Sequence, residues 1–203
     1  MFGDSGPGIA VVIFGVTIAA SLYGLYRSPQ FIERCLFRPY FFLRKQRYET
    51  IVTSGFVHGD FGHLLLNMVT FYFFAFPLES RIGPARFALL YLLGLIVSDL
   101  GTYFKHRNDP DYASLGASGA ISAVLFAAIV YYPEMKLFII PIPVPIPAPL
   151  FAVGYVAYSW WSARQARGRI NHDAHLVGAL FGVVFVMLTD PQAWAGMLRT
   201  LFG

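Results

Sequence analysis

The chain has 203 residues, 57% of them hydrophobic and 17% aromatic but only 13% charged, with a mean hydropathy of +0.58. Soluble domains are about a quarter charged, so a water-soluble enzyme is excluded and a polytopic membrane protein is expected. The net charge of +4 lies mostly between the greasy runs, where it suits anionic headgroups rather than nucleic acid; the single cysteine, Cys35, rules out an intrachain disulfide.

Runs of about 17–25 apolar residues are long enough to cross a hydrocarbon core about 30 Å thick. The first expected span is residues 8–26. It is preceded by Asp4 and by no Lys or Arg, so it lacks the basic leader of a cleaved signal peptide. Residues 27–59 interleave Arg27, Arg34, Arg38, Arg44, Lys45 and Arg47 with Phe31, Phe37, Tyr40, Phe41, Phe42 and Tyr48. Aromatic rings and snorkelling arginines both favour the membrane interface, so this loop is expected to lie there. The second span is 61–77, followed by a tight polar turn at Glu79, Arg81 and Gly83. The third is 87–104, and a polar loop then leads to the fourth, 115–132. Residues 141–149 alternate proline with apolar residues. They cannot be helix interior and are expected to form an extended or polyproline II connector. The fifth span, 150–163, carries Trp160 and Trp161 as an interfacial belt; the sixth is 172–188, with a surface tail from Pro191. The expectation is one all-α membrane domain over residues 1–203, a six-helix bundle with no internal repeat of the transporter kind.

Polar side chains are costly inside a bilayer and mark function. His63 and Asn67 lie four apart on one helical face. Both can donate to a single point, which suits a developing oxyanion, although such pairs also serve as glue between helices. Ser118 lies within Gly116-Ala117-Ser118-Gly119. At a helix start, its neighbouring N–H groups and the helix dipole would favour an anion; the alternative is a packing seam of small residues. This is not the Gly-x-Ser-x-Gly elbow, because the second glycine comes one position early. His175 precedes Gly178 and Gly182, which keep its helix face flat for a close neighbour. If that neighbour is the fourth helix, a neutral imidazole there can take a proton from the serine. Asp173 points off that face, whereas His172 could share it. His58, His63, His172 and His175 lack a carboxylate or cysteine at ligand spacing, so no metal or other cofactor is expected.

Together these motifs resemble the rhomboid intramembrane serine proteases over about residues 47–190. His63-Leu-Leu-Leu-Asn67, preceded by His58, is similar to that family's second-helix element, and Glu79-x-Arg81-x-Gly83 to the turn after it. Gly116-Ala117-Ser118-Gly119 resembles its nucleophile motif, and Ala174-His175-x-x-Gly178-x-x-x-Gly182 its base motif. The resemblance implies a serine endopeptidase with a Ser118/His175 dyad in a water-filled cavity. It also implies an oxyanion hole of the Ser118 N–H with His63 and Asn67, and membrane-spanning segments of other proteins as substrates. A bacterial plasma membrane is the expected location. The alternatives are a catalytically silent protein that binds client helices and a small transporter with histidines in a proton path.

Three features depart from the family pattern. Glu49 and Thr50 stand where many members carry Trp-Arg, and Ser122 stands where many carry an aromatic that packs on the base. The third is charge. Arg27, Arg34, Arg38, Arg44, Lys45, Arg47, Lys105, Arg107, Arg164, Arg167 and Arg169 share one face of a six-span chain, leaving Arg81, Arg86, Lys136 and Arg199 on the other. The positive-inside rule puts the larger set in the cytoplasm. The family topology, which is preferred here, puts the amino terminus inside and the active site facing outward.

Overall fold

In hydrocarbon every backbone N–H and C=O must be satisfied within the protein, and an apolar run does this by coiling into a helix. The computed structural model describes residues 8–139, 142–165 and 170–203. Asp4, Arg167, Arg169 and residues 140–141, on which some of the expectations above rest, lie outside the described residues. The order is α1 Ile9–Tyr26, α2 Pro29–Cys35, α3 Pro39–Arg44, α4 Thr50–Thr53, a 3-10 turn Ser54–Phe56, α5 Phe61–Ile82, α6 Pro84–His106 and α7 Ser118–Tyr131. Strands β1 Lys136–Ile139 and β2 Ile142–Pro147 follow, then α8 Ala148–Gln165, α9 His172–Thr189 and α10 Pro191–Phe202. This is an all-α membrane fold with one small hairpin. Among the described residues four helices, α1, α5, α6 and α9, are long and apolar enough by length and composition to cross a bilayer.

The core forms around α7. This helix is apolar on every side, a pattern that belongs in an interior, and Gly119 through Val130 are all buried. It packs on α5, α6 and α9. Glycines set the closeness of the α9 contact. A methyl group at Gly178 would strike the carbonyl oxygen of Gly119, and one at Gly182 that of Ala123. A second aromatic layer of Phe71, Phe87 and Tyr91 joins α5 to α6. The outward faces stay greasy, with Leu66, Tyr72, Phe73, Leu150 and Leu188 all exposed, as a lipid-facing surface requires.

Several expected boundaries shift. Helix α5 does not stop at Pro77 but runs through it to Ile82, so Glu79 and Arg81 belong to the helix and only Gly83, at φ 81°, makes the turn. An interior proline forfeits one helical donor. The last turn is retained because the Glu79 carboxylate is engaged, accepting the N–H of Ile9 at 2.7 Å and of Ala10 at 3.2 Å. The proline-rich connector is extended as expected, but as strand β2, paired antiparallel with β1. Proline at every second position leaves the intervening N–H groups free for the ladder. Helix α8 begins at Ala148 and runs 18 residues, longer than expected, because Pro149 sits in its first turn, where a missing N–H costs nothing. The loop 27–59 is itself built of α2, α3, α4 and the 3-10 turn. The tail from Pro191 is a helix capped by the Asp190 carboxylate on the N–H of Ala193.

Candidate active site

The segment before Ser118 is held from three sides. Phe37 and Ser114 exchange backbone hydrogen bonds, and the Gly116 N–H donates to the Ser54 carbonyl at 2.9 Å. The Ala117 N–H donates to His58 Nε2 at 3.4 Å. Gly116 has φ 114°, and a Cβ there would lie 2.7 Å from His63 Cε1. Only glycine combines that conformation with so close a ring. The chain then enters α7 with Ser118 as its first helical residue. Among the described residues the Ser118 N–H has no acceptor, so it is open, like other donors of a first helical turn.

His58 is buried, and its two nitrogens are assigned by their partners. Nε2 accepts from Ala117, so the proton is on Nδ1 and donates to Ser21 Oγ at 3.0 Å; Ser21 Oγ in turn donates to the Phe56 carbonyl. Burial, and secondarily the nearby His63, depresses its pKa from 6.5 to about 3. His58 is therefore a neutral strut between α1, the 3-10 turn and the Ser118 turn. Its ring meets that of His63 edge-on, with centroids 4.8 Å apart. Asp60 caps α5 by accepting the His63 N–H at 2.8 Å. Asn67 donates to the His63 carbonyl at 2.9 Å, a bond within its own helix rather than between helices.

Ser118 and His175 lie in the first turns of α7 and α9, which pack on each other. Gly119 abuts Gly178, one turn beyond His175. Both side chains are half-buried. Among the described residues no hydrogen bond joins Ser118 Oγ to His175; such bonds are often long before substrate binds. Asp173 faces away, bonding Lys105 Nζ at 2.8 Å and 2.9 Å and approaching His106 Nε2 at 3.6 Å. His172 does share the His175 face, with ring centroids 5.9 Å apart.

The departures from the family pattern have local replacements. Thr50 is buried and donates to the Arg47 carbonyl at 2.6 Å, while the Arg47 guanidinium binds Glu49 at 2.7 Å and the Arg34 carbonyl at 2.5 Å. Ser122 carries no ring, but Tyr155 of α8 supplies one against His175. Arg81 lies over the Tyr131 ring at 5.7 Å. Sequence reading passes over Tyr155, although Phe151, Tyr155 and Tyr158 recur at helical spacing on one face of α8. It also passes over Asp99, a carboxyl buried in α6 that accepts from Ser54 Oγ at 3.1 Å; an acidic residue in a span was the available signal.

The fold and the greasy exterior define an integral, multi-pass membrane protein. A family model described as the rhomboid domain matches residues 45–191, and the chain belongs to the rhomboid family. It is 35% identical over 74% of its length to a presenilin-associated rhomboid-like protein, mitochondrial, of Danio rerio. It is 27% identical over 87% to rhomboid protein 1, mitochondrial, of Saccharomyces cerevisiae, and 42% identical over 35% to a putative rhomboid protease of Bacillus subtilis. It covers 40%, 52% and 35% of those proteins, so it spans about half their length or less.

Proposed function

We propose that this chain is an intramembrane serine endopeptidase that cleaves transmembrane segments of other membrane proteins. The observation that carries the reading is the place of Ser118. It opens a central helix of 14 residues, which rises about 21 Å against a hydrocarbon core of about 30 Å. A helix that short starts below the membrane surface, so the serine, the His63 ring beside its turn and the His175 seam lie at bilayer depth. Six crossings, made by α1, α5, α6, α7, α8 and α9, complete the bundle.

In the proposed reaction Ser118 Oγ attacks a peptide carbonyl carbon while its proton passes to His175. The carbonyl oxygen becomes an oxyanion, stabilised by the Ser118 N–H, the second N–H of the Asn67 amide and His63. Collapse breaks the C–N bond, and His175 returns the proton to the leaving amine. Water then attacks the ester carbonyl as His175 takes its proton; the bond from the acyl carbon to Ser118 Oγ breaks, and His175 returns that proton to Oγ, restoring the serine. A stable helix hides its carbonyls, so segments weakened by glycine near the surface are the preferred substrates. A bacterial plasma membrane is the location proposed; the relatives that match most of the chain are named mitochondrial, whereas the Bacillus subtilis protein matches 35% of it, so a mitochondrial membrane is the rival, and fractionating cells that express a tagged chain separates the two.

Cleavage of reporter transmembrane segments in liposomes tests the reading. The wild type should cleave, and Ser118→Ala and His175→Ala should not. Full cleavage by Ser118→Ala would sink the assignment. Equal reporter binding with no cleavage by the wild type would favour a client-binding protein instead.

A further inference from the structure

We infer that Tyr155, anchored by Ser122, is the positioning residue that fixes the His175 imidazole, so that α8 is part of the catalytic apparatus and not only its wall. The inference rests on the serine-protease reading above. Four observations point the same way. The Tyr155 ring lies nearly parallel to the His175 ring, at 16° with centroids 6.3 Å apart, within the range of an offset stack. Its hydroxyl is 2.7 Å from Ser122 Oγ. Ser122 has one proton, and that proton goes to the Ser118 carbonyl at 2.8 Å. Tyr155 must therefore be the donor to Ser122, which fixes its direction and ties it to the turn that carries the nucleophile.

Among the described residues no side chain hydrogen-bonds to the His175 ring, and Asp173, the carboxylate closest to it in sequence, is committed to Lys105. On another side His175 meets the His172 ring, edge-on. The relay runs from the Ser118 carbonyl through Ser122 and Tyr155 to the His175 face, and so links nucleophile and base through α8. Phe126 at 5.3 Å and Phe151 at 5.7 Å hold the tyrosine ring in place.

The test uses the full chain in liposomes with two readouts. One is kcat and KM for a transmembrane reporter. The other is the labelling rate with a small fluorophosphonate, in which Ser118 Oγ displaces fluoride from phosphorus and needs no substrate helix to pass α8. Tyr155→Leu should lower kcat and labelling together by about 10- to 100-fold, the loss expected from a misplaced catalytic group, with KM little changed. Tyr155→Phe, which keeps the stack, should recover most of the loss. Ser122→Ala should slow labelling several-fold, and it decides the matter if Tyr155→Leu does not fold. Val153→Ala, on the lipid-facing side of α8, should label like the wild type. Wild-type labelling in Tyr155→Leu, or in Ser122→Ala where the former is unfolded, overturns the inference while an inert Ser118→Ala leaves the protease reading standing. A Ser118→Ala variant that still cleaves overturns the protease reading itself.

Discussion

Asn67 and His58 show how similar polar side chains acquire different work. Asn67 spends one amide N–H inside α5 and keeps a second donor. Asn67→Ala should lower turnover by about 10²–10³, as loss of one oxyanion donor does, without changing thermal stability much; parallel kinetics and unfolding scans check both. His58 is a strut, and its depressed pKa has a stability consequence. The unfolded chain binds a proton below about 6.5, whereas the folded chain resists one until about 3. The unfolded state therefore binds more protons across that window, and stability falls as pH drops through it. His58→Gln lacks this titration. It should be less stable than the wild type at pH 7, and the gap in Tm should narrow as pH falls from 6.5 toward 4. A gap that stays constant would mean that His58 does not carry the effect.

The helices were legible in the sequence because greasy runs of the right length have few other options in a membrane. Their ends were not, because ends are decided by partners far along the chain. Nothing in residues 61–83 says that Glu79 will meet the start of α1, yet that contact keeps the last turn of α5. The small-residue seam was legible as a seam: Gly178 and Gly182 predict a close neighbour, and α7 is that neighbour. The ring beside His175 was not legible, because Tyr155 comes from another helix and no spacing rule links it to Ser122. Gly178→Ala should cost about 1–3 kcal/mol, the usual penalty for overpacking, since the obstructing atom is a backbone oxygen that cannot rotate away. Cleavage should fall with it, because Gly178 lies one turn from His175 and abuts Gly119, the residue after Ser118. Glu79→Gln keeps an acceptor but loses the charge at the α1 N-terminus, and should cost about 0.3–1 kcal/mol. Unfolding in bicelles measures both.

The facing of the whole bundle in the membrane depends on how the charges of the first loop count. Positive residues orient a membrane protein when they are free to bind cytoplasmic headgroups. Here many are engaged already. Arg38 pairs with Glu33 and Arg47 with Glu49. Arg44 donates to the carbonyls of Tyr40 and Arg107 and lies over the Tyr40 ring at 4.1 Å, while Lys45 lies over Phe41 at 4.4 Å. Each exposed pair contributes little stability, but together they bind the loop's charge into a folded layer of short helices. Lys105 is likewise held by Asp173 and the Ala163 carbonyl. The six cations of residues 27–59 face only two carboxylates, so the loop keeps an excess of positive charge; what its packed side chains lose is freedom to bind cytoplasmic headgroups, which weakens the pull of that excess. The chain is therefore expected to place its amino terminus in the cytoplasm and the Ser118 side outside. Reporters active only in one compartment, fused to the amino terminus and inserted in the 107–113 loop, should report inside and outside respectively. Replacing Glu33 and Glu49 by glutamine would free two arginines and should raise the fraction of inverted chains. If the wild type already shows the 107–113 reporter inside, the free-charge count governs and the folded loop does not offset it.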